Sequence, residues 1–132
     1  MIQYLNILSK DGKSLLFRSY GISKVDKDIL SELLNSFLGV KNELNQTKIK
    51  CTKTEKFQYF FSKINNGITL VVCTDLMDDN FRIKSKILRI KTKLIEKYPN
   101  IIKNDIVTST ISKEFIRIID KILIDVKIAI IG

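Results

Sequence analysis

A chain of 132 residues with 23 Lys or Arg, 14 Asp or Glu and no His carries a formal net charge of +9 at pH 7, and its length accommodates one domain. Hydrophobic residues make up 45% of it, enough for one packed core, so neither disorder nor a fold held by staples is indicated. Without His the chain lacks the usual general base near neutral pH and the commonest metal ligand, which sets aside most hydrolase and metal chemistry.

Met1 to Leu8 is a mostly apolar run that halts at Ser9-Lys10-Asp11-Gly12-Lys13 and resumes over Ser14 to Arg18. Asp-Gly between two such runs predicts a hairpin with positive φ at both turn positions. Ser23, ahead of Val25-Asp26, predicts a cap for a helix of about 18 residues from Asp26 to near Leu44. Leu30, Leu33, Leu34, Phe37, Leu38 and Leu44 fall on one of its faces, so it packs against something. From Thr47 the period drops to two, with Ile49 and Cys51 on one side and Lys48, Lys50 and Thr52 on the other, as in a half-exposed edge strand. Phe57–Ile64 and Ile68–Thr74 flank Asn65-Asn66-Gly67 and read as a second hairpin. The Ile68 strand is apolar on both faces and is therefore central, with both faces covered. Asp78-Asp79-Asn80 opens a helix that runs to about Tyr98, stops at Pro99 and buries Ile83, Ile87, Ile90 and Leu94. Ser112 is placed to cap a last helix, ending near Ile124, whose apolar face is Phe115, Ile118, Ile119, Ile122 and Leu123.

The order strand, strand, helix, three strands, helix, helix predicts a three-layer α/β/α domain. Its sheet is five-stranded and mostly antiparallel, with one helix on one face and two on the other. The chain has 23 Ile against 14 Leu, 19 Lys against 4 Arg and a single Ala, the usage of an AT-rich genome. Codon bias therefore weakens the basic balance as an argument for nucleic acid. Cys51 and Cys73 lie in apolar, β-rich segments and read as buried thiols of a reducing compartment. No stretch reaches the roughly 18 apolar residues of a membrane span, so the expected location is cytoplasmic.

This order of elements, the opening Tyr4-Leu5-Asn6-Ile7-Leu8-Ser9-Lys10-Asp11-Gly12-Lys13 and the central strand Leu70-Val71-Val72-Cys73-Thr74-Asp75 resemble the longin domains of the roadblock/longin superfamily. The resemblance spans Met1 to about Ile124 and rests on pattern rather than on a signature motif; profilin-like domains share parts of it. It implies a partner-binding module of the kind found in membrane-trafficking SNAREs, adaptor subunits and regulators of small GTPases, with no catalysis and no cofactor of its own. It also implies a groove between the first helix and the Thr47–Lys53 edge strand as the partner site, marked here by Leu34, Phe37, Ile49 and Lys50. A strand edge can also accept a second copy of the chain, so a homodimer is an expectation.

Residues 125–132, Asp-Val-Lys-Ile-Ala-Ile-Ile-Gly, look like the first strand of a Ras- or Arf-type GTPase, with Gly132 as the first glycine of a phosphate-binding loop. The Gly-Lys-Ser/Thr that would complete the loop lies beyond the last residue. On this reading the chain is a longin-like module, 1–124, ahead of a GTPase in cis; the alternative is an ordinary apolar tail with a GTPase partner in trans.

Arg82, Lys86, Arg89, Lys93 and Lys97 recur at helical spacing along one side of the second helix. They form a basic stripe that could meet an anionic membrane or nucleic acid, the alternative function. No aromatic side chain interleaves with them, which makes nucleic acid the weaker partner. Asp75, Asp78 and Asp79 are the one dense carboxylate cluster, and their place between strand and helix explains them as loop and capping residues rather than as a metal or acid/base site. Ser9, Ser14 and Cys51 have no His to activate them as nucleophiles.

Overall fold

The computed structural model describes residues 1–21, 27–45, 47–65, 68–97 and 113–124. Strands β1 (Ile2–Ser9), β2 (Ser14–Ser19), β3 (Ile49–Lys53), β4 (Phe57–Asn65) and β5 (Ile68–Asp75) form one sheet in the order β2-β1-β5-β4-β3. All four pairings are antiparallel. Helices α1 (Lys27–Val40), α2 (Asn80–Lys97) and α3 (Lys113–Ile124) cover its two faces.

Side chains alternate across a strand, so each central strand feeds two cores. On one face Tyr4 and Leu8 of β1, Tyr59 and Phe61 of β4, and Val71 and Cys73 of β5 pack against Leu33 and Phe37 of α1. On the other, Leu5, Ile7, Phe60, Leu70 and Val72 meet Ile83, Ile87, Ile90 and Leu94 of α2 and Phe115, Ile119, Ile122 and Leu123 of α3. Each buried Leu, Ile, Val or Phe among them contributes roughly 1.5–3 kcal/mol through burial. The expected three layers, one helix against two, are thus observed, and the doubly apolar Ile68 strand lies between β1 and β4 as its two-sided pattern requires.

Where local boundaries differ from expectation, hydrogen bonding explains the difference. The first turn is a three-residue loop, closed by the Ser9 N–H to Lys13 C=O bond at 2.8 Å, with Gly12 at φ +86° donating to the Ser9 carbonyl; the expected two-residue Asp-Gly turn is not formed. The α1 helix ends at Val40, straight after Gly39, and tightens into a 3-10 turn over Lys41–Glu43. Glycine's low helix propensity accounts for that early end. The β3 strand starts at Ile49 because the Asn45 carboxamide oxygen accepts the N–H groups of Thr47 and Lys48 at 2.9 and 3.0 Å and holds them in a turn. The Ser23 and Ser112 caps, the Asn66-Gly67 turn, Pro99 and the 125–132 segment lie outside the described residues.

Candidate docking surfaces

The α1 face is built on a helix whose apolar arc is wider than the sheet can cover. Leu33, Phe37 and, beyond the helix, Leu44 are buried, whereas Leu30, Leu34 and Leu38, four residues apart, stay exposed, Leu38 at 54%. Glu32, on the other flank of the helix, accepts hydrogen bonds from Thr54 Oγ1 at 2.7 Å and Tyr59 Oη at 3.0 Å. These bonds tie that flank to β4 and to the β3–β4 turn. Leu34 lies on the far flank, against Gly12 of the β1–β2 turn, where a Cβ built on the glycine would stand 2.8 Å from Leu34 Cδ1.

The four expected groove residues are therefore not brought together. Leu34 is exposed beside the first hairpin, and Phe37 is core, its ring centroid 6.2 Å from that of Phe61. Ile49 packs into the opposite core, under α2 and α3. Lys50 pairs in register with Phe61 on the α1 face and forms an ion pair with Glu43 at 3.5 Å; both partners are solvated, so the pair contributes little. Sequence spacing set Ile49 and Lys50 on opposite sides of β3, and the sheet puts only Lys50 on the side of α1.

The basic stripe on α2 is also divided by packing. Lys86 is 6% exposed, and its ammonium donates to the Leu123 carbonyl at 2.9 Å, so it is a tether between α2 and α3 rather than a surface cation. Arg89 and Lys93 are exposed along the shallow α2–α3 groove beside Ile118 and Lys121. Arg82 stands at a cleft of about 660 Å³ whose wall includes Ile2, Tyr20, Met77 and Ile124. Lys97 is exposed at the end of the helix. Sequence reading missed Phe81 and Leu88, apolar residues on the side of α2 away from its core stripe. Their seven-residue separation was the available signal.

The carboxylates at the start of α2 do structural tasks. Asp79 caps the helix, its Oδ1 accepting the Phe81 N–H at 3.2 Å and its carbonyl accepting the Ile83 N–H at 3.1 Å. Asp78 Oδ2 accepts the Asp75 N–H at 3.1 Å and the Met1 ammonium at 2.6 Å, and Asp75 takes the same ammonium at 3.0 Å. Although burial opposes it, hydrogen bonding from that ammonium and from Gln3 holds the Asp75 carboxyl below its ordinary range. The buried Gln58 amide divides its hydrogens among the carbonyls of Asp75, Leu76 and Asp78 at 3.0–3.2 Å, fixing the β5–α2 loop. Burial pushes the Cys73 thiol up to about 12 and raises that of half-buried Cys51, which keeps both protonated and unreactive. Among the described residues no group of His, Cys, Asp or Glu is arranged to hold a metal ion, and no helix is long and apolar enough to cross a membrane.

Neither a family model nor a curated protein matches the sequence. The backbone, in contrast, matches solved structures. An MglB described as having a tetrameric arrangement superposes with a TM-score of 0.56 at 11% identity over 72% of this chain and 76% of its own. The gliding protein MglB from Thermus thermophilus superposes with a TM-score of 0.55 at 10% identity over the same shares. The fold is longin-like. At such identity the likeness establishes the architecture and leaves function to the surfaces.

Proposed function

We propose that the chain is a non-catalytic interaction module that docks on a small GTPase and positions or regulates it. The observation that carries this reading is the Leu30, Leu34 and Leu38 line, exposed along α1 on a longin-like scaffold. Apolar side chains on one rigid helix are the usual centre of a protein interface, with charged residues such as Lys50 at the rim. The GTPase class follows from the roadblock/longin resemblance and from the likeness of residues 125–132 to a GTPase's first strand, whether the GTPase is joined in cis or met in trans. Of the four residues first singled out, Leu34 and Lys50 would touch the partner and Phe37 supports the surface from beneath, while Ile49, on the other face of the sheet, takes no part. Among the described residues β2 and β3 are the outermost strands of the sheet, a placement that supports self-association by strand addition.

Titration calorimetry against purified Ras- and Arf-type GTPases, loaded with GDP or with a non-hydrolysable GTP analogue, tests the reading. Leu34→Asp with Leu38→Asp is expected to weaken binding at least tenfold, the loss of about 1.4 kcal/mol or more that interface anchors typically supply. Absence of binding in both nucleotide states, or undiminished binding by the double variant, would overturn it.

A further inference from the structure

A second apolar line runs along the face of α2 that the core does not use. Opposite Ile83, Ile87, Ile90 and Leu94, the residues Phe81, Leu88 and Ile95 recur every seven positions, which keeps them on one side of a helix with a drift of only about 20° per step. Phe81 is 79% exposed, Leu88 52% exposed and Ile95 half-buried. Met77, four residues ahead of Phe81 in the loop fixed by Gln58, is 94% exposed. Lys84 and Lys91 flank this line on one side, and Arg82 and Arg89 lie on the other. In total α2 holds seven Lys or Arg and one acid, Glu96.

Single exposed apolar residues are ordinary on a protein surface, but an ordered line between two rows of cations matches the chemistry of a lipid headgroup region. There the apolar side chains enter the acyl boundary while the Lys and Arg stems lie along it and their charges reach the phosphates. A nucleic acid would engage the cations and leave Phe81 and Leu88 in water, and one aromatic residue is too few for base stacking. We propose that the outward face of α2 binds the surface of an anionic lipid bilayer, with Phe81 and Leu88 entering the headgroup region. This site lies on the opposite side of the sheet from the α1 leucines, so it is independent of the GTPase reading. Lys86, counted in the original stripe, takes no part, because it is committed to Leu123.

The experiment is co-sedimentation of the intact chain with vesicles of phosphatidylcholine alone or mixed with phosphatidylserine. Binding is expected only to the phosphatidylserine vesicles and weakens as salt rises. With each cation worth roughly fivefold in partitioning, Lys84→Glu with Arg89→Glu lowers binding more than tenfold. Phe81→Ser with Leu88→Ser also lowers it about tenfold or more, while Leu34→Asp with Leu38→Asp leaves it unchanged. The chain has no Trp, so Phe81→Trp supplies a single reporter whose emission shifts to the blue on phosphatidylserine vesicles. Four results would overturn the proposal: no vesicle binding at low salt, as an acidic protein partner would give; equal binding to pure phosphatidylcholine; an unmoved Trp emission; or full binding by the Phe81→Ser/Leu88→Ser variant, which would mean adsorption by charge alone.

Discussion

Gly12 shows how one residue serves both a turn and a surface. Its φ of +86° lies in the left-handed region, and its missing side chain leaves room for Leu34 of α1. Gly12→Ala is expected to lower stability by about 1–2 kcal/mol, the cost of a Cβ at positive φ. The clash with Leu34 Cδ1 adds little, since that methyl is the far end of a partly exposed side chain and can rotate away. Urea denaturation measures the loss, and the same variant perturbs the leucine line on α1 without changing a residue of it. The Asp-Gly signal was legible in the sequence, whereas the three-residue loop depended on Ser9 and Lys13 pairing to close it.

At the scale of the elements, α2 and α3 are joined by more than apolar contact. Lys86 reaches the carbonyl of Leu123 in the last turn of α3, where unsatisfied carbonyls and the helix dipole favour a cation. Lys86→Met keeps the buried stem but orphans that carbonyl and is expected to lower stability by about 1–2 kcal/mol. Lys86→Glu sets a buried carboxylate against it and lowers stability by at least about 3 kcal/mol. Arg89→Glu, one turn along on the exposed side, stays within about 0.5 kcal/mol of the parent chain. Chemical denaturation of the three variants separates the tether from the surface cations. Helical spacing placed Lys86 and Arg89 in one stripe because it registers direction around an axis, not what lies next to that axis.

Across the whole molecule, the edge strand β2 and the last helix are tied by a polar cluster. Arg18 donates to both carboxylate oxygens of Asp120, at 3.2 and 2.8 Å, and the Tyr20 hydroxyl donates to Oδ1 at 2.6 Å, bridging about a hundred residues of sequence. Hydrogen bonds from the Arg18 guanidinium and from Tyr20 hold the Asp120 carboxyl below its ordinary value, and burial keeps Tyr20 protonated as a donor. A carboxylate so depressed stabilises the fold fully above its unfolded pKa of about 3.9 and loses that contribution as pH falls through the lower folded value. Asp120→Asn is therefore expected to cost about 1–2 kcal/mol at pH 7, and the gap to the parent chain closes as pH drops below about 4. Thermal melts of both proteins across that range check the sign. The same tie fixes α3 against the β2 end of the sheet.

Element order, the central place of the Ile68 strand and the buried stripe of α2 were all determined by the sequence, because periodicity and burial on two faces are local properties of the chain. Which side of α1 remains uncovered was decided only by tertiary structure, since an apolar arc as wide as Leu30 to Leu38 does not say how much of it a sheet will hide. The same holds for Ile49, which alternation placed on a face without saying which helix covers that face, and for Lys86, whose partner is thirty-seven residues away. Docking surfaces are what packing leaves over, and packing is a property of the assembled layers.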